Sequence, residues 1–142
     1  MVSGTYQPGS NLTEPRPKKS KFLKTTQGGI VVMGNGAGYY LNVQLIKKLE
    51  RDVYATVEWE NPLGGAPFVN DAVLTPAMKG VGFSAPDFIK GLKNYTTYTI
   101  VVRLYESKEA DTPFDTLTQK IRCYVDTTGD EVKGYGGLKP KS

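Results

Sequence analysis

The sequence predicts an all-β fold in which two antiparallel sheets pack as a β-sandwich, and three observations carry this prediction. Apolar and polar residues alternate in several short segments, which is the period of a strand with one buried face. Stretches rich in Gly and Pro separate these segments at short intervals. The chain of 142 residues is long enough for one domain with a core, and its 39% hydrophobic content is ordinary for a globular protein.

The two ends of the chain differ in composition from its middle. Residues 1–20 are rich in Pro, Gly, Ser, Lys and Thr without hydrophobic periodicity, which predicts a flexible basic arm. Residues 128–142 have a similar character and are predicted to form a flexible C-terminal tail. The β-sandwich domain is therefore expected over residues 21–127.

Regular alternation marks the strands of that domain in chain order. The segments in which every second residue is apolar and faces one side are 41–45, 53–59, 98–104 and 121–125. The turn-rich sequences NPLGGAP, TPAMKG, SAPDFIKG and SKEADTP separate the later segments. Residues 20–34 are expected to add a further strand ahead of the first segment.

Three glycines at alternate positions, Gly34, Gly36 and Gly38, admit two interpretations. A glycine-rich loop between a strand and a helix would cradle the phosphates of a nucleotide. The position that must hold the third glycine of that pattern is Tyr39, which is too bulky for close helix–strand packing. Glycine is also common in turns between strands because it tolerates positive φ. The sequence favours the turn, and a nucleotide-binding enzyme using the Gly34–Gly38 loop is the least favoured function.

Two short patterns in the middle of the chain point to a particular kind of β-sandwich. Leu92 precedes Tyr98 by six residues, and Trp59 and Pro62 have the spacing W-x-x-P. These patterns resemble the fibronectin type III family of immunoglobulin-like β-sandwiches, in which such a leucine and tyrosine form the corner where strand F begins and a W-x-x-P sequence ends strand B. The resemblance covers about residues 38–127 and implies that Trp59, Leu92 and Tyr98 are core residues.

The resemblance leaves the strand register open. In one register residues 52–60 form strand B of the family. In the other, residues 38–48 form strand B and residues 52–60 form strand C. The separation of Trp59 from Tyr98 is shorter than is usual in the family, but both registers place Trp59 in the core.

The chain contains no histidine and a single cysteine, Cys123, and this composition excludes several kinds of chemistry. Imidazole bases, His-dependent triads and the commonest metal ligand are absent, and a structural zinc ion has almost no ligands to use. Cys123 lies between Ile121 and Val125 on the apolar side of a strand, so we expect a small buried hydrophobe and not a nucleophile. The sequence thus predicts a protein that is not an enzyme and that holds no cofactor and no metal.

The best candidate for a binding surface is the outward side of the last predicted hairpin, whose strands are joined by SKEADTP. Tyr and Arg are enriched at interface hot spots because they bring large contact areas with polar ends. The outward residues of this hairpin, taken as the partner-binding set, are Val101, Arg103, Tyr105, Lys120, Arg122 and Tyr124. They predict a non-enzymatic module that acts in protein–protein interaction or as a structural element, as an accessory subunit of a larger assembly. Formation of an oligomer is compatible with this function.

A carbohydrate-binding module is the alternative prediction. Exposed aromatic rings can stack on sugars. The rings that would serve are those of Tyr54, Tyr105 and Tyr124.

The net charge of +4 and the isoelectric point near 9.1 describe a mildly basic protein. Part of the excess lies at Arg16, Lys18, Lys19 and Lys21, which would extend electrostatic attraction toward an acidic partner surface. Phe22 is the one aromatic residue near this cluster, so readout of nucleic acid by stacking is not favoured. The first residues lack the apolar stretch of a secretory signal, and no apolar run is long enough to span a bilayer. We therefore expect a cytoplasmic protein without membrane contact.

Overall fold

The computed structural model describes residues 20–129 and 132–134, and all regular structure in them is β. Within these residues no helix has the length and apolarity that crossing a bilayer requires. The described residues form nine strands, which are β1 (Leu23–Met33), β2 (Gly36–Leu45), β3 (Val53–Trp59), β4 (Phe68–Leu74), β5 (Gly80–Ser84), β6 (Thr96–Tyr105), β7 (Asp115–Cys123), β8 (Val125–Asp126) and β9 (Lys133–Gly134).

The strands form two larger antiparallel sheets, which confirms the prediction of an all-β fold. The three-stranded sheet has the order β1-β2-β5, and the four-stranded sheet has the order β4-β3-β6-β7. A short third pairing joins β8 to β9. Neither larger sheet closes on itself, and one hydrophobic core takes residues from both. This arrangement is consistent with a β-sandwich.

The sequence-based ends of the domain fall partly outside the described residues. Of the arm over residues 1–20, only Ser20 is described, and it is buried. Of the tail over residues 128–142, the described residues are 128–129 and 132–134. Two of these, Lys133–Gly134, pair with Val125–Asp126.

The glycine-rich segment is the turn of the hairpin formed by β1 and β2. Met33 pairs with Gly36, so the turn consists of Gly34 and Asn35. Gly34 has a φ of 59°, a conformation that glycine adopts without steric cost. Gly36 lies under the ring of Phe88, which a Cβ at this position would overlap. A nucleotide-binding loop needs a helix after its glycines, whereas strand β2 follows here.

Three aromatic rings join the two sheets at the centre of the core. Trp59 on β3 stacks on Tyr39 of β2, with ring centroids 5.7 Å apart and planes 11° apart. Tyr98 on β6 meets the same Tyr39 ring edge-on at 6.3 Å. All three side chains are buried. Tyr39 donates its hydroxyl to the backbone carbonyl of Glu60 at 2.8 Å, and Trp59 donates Nε1–H to Oδ1 of Asn70 at 2.8 Å. The Tyr39 hydroxyl and Trp59 Nε1 are therefore both hydrogen-bonded, as the polar atoms of buried Tyr and Trp side chains usually are.

The segment before β6 is held by a tyrosine hydroxyl. Leu92 is fully buried, and the Tyr98 hydroxyl accepts a hydrogen bond from the backbone N–H of Lys93 at 2.9 Å. Thr127 fastens the same segment from the other side, because its hydroxyl accepts from the N–H of Leu92 at 2.9 Å and donates to the carbonyl of Ile89 at 3.0 Å. The Tyr98 hydroxyl and Thr127 thus hold both sides of the segment that leads into β6.

A buried carboxylate fastens the start of β1 to the start of β7. Asp115, 8% exposed, accepts hydrogen bonds from Ser20 Oγ at 2.6 Å and from the N–H groups of Lys21 and Phe22 at 3.0 Å. Ser20 Oγ in turn accepts from the N–H of Leu23 at 3.0 Å. We call this group the Asp115 clasp. It fixes the entry of the first strand by side-chain contacts to a strand of the other sheet.

Candidate functional site

The outward side of the four-stranded sheet carries most of the residues nominated from the sequence. In β6 and β7 every second residue points away from the core, as their burial patterns show. We call this side of the sheet the outer face. Its residues on β6 and β7 are Thr97, Thr99, Val101, Arg103, Tyr105, Thr116, Thr118, Lys120 and Arg122.

Strands β3 and β4 extend the outer face beyond the hairpin. Tyr54 on β3 lies between Val73 of β4 and Tyr105 of β6 in the strand register. Glu58 lies four residues further along β3, between Val69 of β4 and Val101 of β6. The nominated hairpin residues are therefore half of a larger surface. The added strand β1 belongs to the other sheet and does not cover this face.

Arg103 is held in place by an ion pair within the face. Its Nη1 lies 2.7 Å from Oε2 of Glu58, and the two side chains are 31% and 35% exposed. At this exposure the pair contributes at most about 1 kcal/mol to folding. Its more important effect is to restrict the rotamers of a long side chain, so less entropy is lost when a partner packs on it.

A pair of tyrosines forms the aromatic part of the face. The rings of Tyr54 and Tyr105 lie 6.1 Å apart with planes at 49°. The Tyr54 hydroxyl donates to Oδ2 of Asp71 on β4 at 2.6 Å, and this hydrogen bond raises the pKa of Tyr54. Both rings are half-buried. They present flat, oriented carbon surface beside a charged acceptor.

Two of the remaining nominated residues, Arg122 and Tyr124, form a second cluster at the other end of β6. Arg122 lies with Cζ 5.6 Å from the centroid of the Tyr95 ring, and Tyr124 meets the same ring edge-on at 5.5 Å. Tyr124 follows the last residue of β7 and lies outside the hairpin. At about 3.3 Å per residue, the ten residues of β6 place this cluster roughly 30 Å from Tyr105. Tyr105 and the Arg122–Tyr124 cluster thus lie at opposite ends of the outer face, with Val101 and Arg103 between them and Lys120 opposite Thr99.

Tyr95 is a site residue that the sequence did not reveal. Its φ is 61°, and it is the only described non-glycine residue with positive φ. Its N–H donates to the carbonyl of Cys123 at 2.7 Å. The local sequence signal for a residue with positive φ is Asn94, because asparagine adopts this conformation more often than tyrosine. The residue that adopts it is the next one, Tyr95.

The basic residues of the arm are only partly described. Arg16, Lys18 and Lys19 lie outside the described residues. Lys21 is described and exposed, and its backbone N–H belongs to the Asp115 clasp.

In the described part of the chain, no group of three or more His, Cys, Asp or Glu side chains converges as a metal site would. A shallow cleft opens at the end of the sandwich near the Asp115 clasp, between the rings of Phe22 and Phe114 and the backbone around Leu49. Lys47 Nζ lies over the Phe22 ring at 5.1 Å from its centroid.

Cys123 has the environment of a structural residue. Its side chain is fully buried, and Sγ donates to the carbonyl of Val125 at 3.0 Å. Burial raises the pKa of the thiol from 9.0 to about 12. The thiolate, which is the reactive form, is therefore scarce at neutral pH.

We expect a disulfide-based thiol reagent to modify native Cys123 at pH 8 at least about a hundredfold more slowly than the denatured chain. The pKa of the Cys123 thiol is higher in the folded chain than its ordinary value. The neutral thiol therefore stabilises the fold below about pH 9, and this contribution to the free energy of unfolding is lost as the pH rises toward 12. Absorbance of the released chromophore measures the rate. Rapid modification without unfolding would contradict the buried position.

The geometry of the chain defines the outer face and its two tyrosine clusters, Tyr54 with Tyr105 and Tyr95 with Tyr124. No family model, no curated protein and no solved structure matches this chain.

Proposed function

We propose that this protein is a non-enzymatic interaction or structural module, an accessory subunit of a larger cytoplasmic assembly. It binds another protein through the outer face, centred on the Tyr and Arg residues of the last hairpin. The observation that carries the proposal is the half-exposed Tyr54–Tyr105 pair beside the Arg103–Glu58 ion pair on a sheet face that β1 leaves uncovered.

Restricted side chains support binding on this face. Tyr, Trp and Arg are enriched among the few residues that supply most of the energy at protein interfaces, and an aromatic ring buries a large area with only about two rotatable bonds. The contacts among Tyr54, Tyr105 and Asp71 orient the rings before a partner arrives. Arg122 and Tyr124 form a second contact point with Tyr95, so a partner of ordinary interface size would span both clusters.

We also propose that the sandwich is of the immunoglobulin or fibronectin type III kind. Strands C, F and G are consecutive in one sheet of such domains, and strand B lies in the other. The order β3-β6-β7, with β2 in the three-stranded sheet, supports this assignment. It favours the register in which residues 38–48 form strand B and residues 52–60 form strand C.

The test is capture of partners from native extract by three forms of the chain. Tyr105→Ala/Arg122→Ala changes both ends of the outer face. The matched control is Lys24→Ala/Gln44→Ala, which changes two exposed residues that pair with each other on the outward side of the other sheet. We expect the face variant to recover specific partners at least about tenfold less than wild type, and the control to recover them equally.

The three forms must have the same circular dichroism and melting temperature before they are compared. Equal recovery by the face variant and wild type would overturn the proposal. Binding of sugars on a glycan array that is lost in Tyr105→Ala would replace it with the carbohydrate-binding alternative.

A further inference from the structure

The second edge of β4 is the least protected sheet edge in the described residues. β4 pairs with β3 through all seven of its residues without a bulge, and no described strand pairs with its other side. Its sequence, FVNDAVL, has no proline, lysine or glycine, which are the residues that usually discourage strand addition. A regular, unpaired edge of this kind presents a row of backbone donors and acceptors.

The other edges carry protective features. β7 has Lys120 and Arg122 along its outward side, and β1 has a register shift between Thr25 and Gln27. β5 is five residues long, and Gly80 and Gly82 are two of them. Only β4 combines length, regularity and an apolar side, so strand addition is expected there if anywhere.

The side chains on the outward side of β4 alternate apolar, acidic, apolar. Val69 is 51% exposed and Val73 is 54% exposed, and Asp71 lies between them. The Asp71 carboxylate is held by the Tyr54 hydroxyl at 2.6 Å. Exposed valines on a strand are a cost in water that a neighbouring strand would remove.

The inner side of β4 keeps the edge rigid. Leu74 is fully buried in the core. Asn70 accepts from Trp59 Nε1–H at 2.8 Å and donates through Nδ2 to the carbonyl of Ser84 on β5 at 2.8 Å. This amide bridge links the two sheets beside the open edge. An incoming strand therefore meets a backbone that is already extended and fixed, which lowers the entropy lost on binding.

We propose that β4 accepts an extended segment of a partner protein by antiparallel strand addition. The segment carries a Lys or Arg with an apolar residue two positions before it and two after it. The basic side chain lies opposite Asp71, and the apolar side chains lie opposite Val69 and Val73. The site uses the free backbone edge of β4 and only the β4 margin of the outer face, so its occupancy does not depend on a partner of the hairpin residues Arg103 and Tyr105.

Charge favours such a segment over a second copy of this chain. The cleft at the Val73 end of the edge is bordered by Asp52, Asp71 and Glu106 against the single cation Lys108. Two copies of β4 paired about Asp71 would match their valines but place the two carboxylates directly opposite each other. Like charges in that position are destabilising. A partner segment with Lys or Arg opposite Asp71 avoids this repulsion between carboxylates.

The probe is the blocked peptide Thr-Val-Thr-Arg-Thr-Val-Thr, and its matched control has Glu in place of Arg. We expect hydrogen–deuterium exchange of amides in 68–74 to slow at least about tenfold at saturation with the Arg peptide. The Glu peptide is expected to bind about tenfold more weakly. Protein without peptide serves as the reference for exchange and for oligomeric state.

Two double variants of the full chain separate pairing from general stickiness. Val69→Lys/Val73→Lys places gatekeeper charges on the edge and is expected to abolish the protection, whereas Val69→Thr/Val73→Thr keeps the β-branched shape and most of the binding. Both positions are half exposed, and equal melting temperatures confirm that both variants fold. Undiminished binding by the Lys variant, protection confined to another edge, or a dimer formed through β4 without peptide would each overturn the proposal.

Discussion

Replacing Trp59 with alanine is expected to lower the free energy of unfolding by about 3–5 kcal/mol, the cost of the largest cavity a single substitution can leave in a core. The indole is fully buried and stacks on Tyr39 of the opposite sheet. Its removal also leaves Oδ1 of Asn70 without the N–H that it accepts at 2.8 Å. Both the packing between the sheets and the amide bridge beside β4 are lost together.

Trp59→Phe is the matched control for that substitution. Phenylalanine keeps a ring against Tyr39 but has no N–H, so we expect a loss of about 1–3 kcal/mol. Urea unfolding followed by far-ultraviolet circular dichroism measures both variants, because Trp59 is the only tryptophan in the chain. Equal losses for the alanine and phenylalanine variants would show that the hydrogen bond, and not packing between the sheets, carries the effect.

Asp115→Ala is expected to lower the free energy of unfolding by about 3 kcal/mol or more. Three donors converge on this buried carboxylate, and the net contribution of a hydrogen bond to a charged group is about 1.5–3 kcal/mol. Without it, the N–H of Lys21 loses its acceptor, and the N–H of Phe22 keeps only the longer hydrogen bond to Ser20 Oγ at 3.3 Å. We expect faster hydrogen exchange at these amides and at Leu23 even under conditions where the chain stays folded.

Two further substitutions calibrate that result. Ser20→Ala removes one donor and leaves two, so its effect should be smaller. Asp111→Ala removes an exposed carboxylate from the loop before β7 and should leave stability within about 0.5 kcal/mol of wild type. An Asp115→Ala variant as stable as Asp111→Ala would show that the Asp115 clasp adds nothing to the fold.

The strands with one buried face were predictable from alternation. In β3 the buried and half-buried residues alternate from Val53 to Trp59, and β6 follows the same pattern from Tyr98 onward. The first half of β1 also alternates in exposure, but its sequence LKTTQ contains one apolar residue, and its position depends on the Asp115 clasp. A bond between residues that are 95 positions apart leaves no local trace in the sequence.

β4 was marked only by the turns on either side of it. Its apolar residues fall on both faces, with Leu74 buried and Val69 and Val73 half exposed, so no buried face could be assigned from period alone. The exposed valines that obscure its buried face in the sequence also make its edge a candidate for strand addition.

The candidate site was predictable in composition but not in arrangement. The outward residues Val101, Arg103 and Tyr105 follow from the period of one strand. Glu58, which pairs with Arg103, and Tyr54, which packs beside Tyr105, lie on a strand that is distant in sequence and is selected by register. The distance between the Tyr105 and Arg122 ends also depends on strand direction in space, which alternation does not encode.

The order of the four-stranded sheet has a consequence for the kinetics of folding. β3 pairs with its neighbour β4, but its other partner is β6, where Tyr54 meets Tyr105. Closing such long loops costs chain entropy before the contacts form, so folding on a timescale of roughly milliseconds to seconds is expected. The hairpins β1–β2 and β6–β7 are local and can assemble early. We expect the pairing of β3 with β6, which completes the four-stranded sheet, to be the slow step that commits the chain to its native topology.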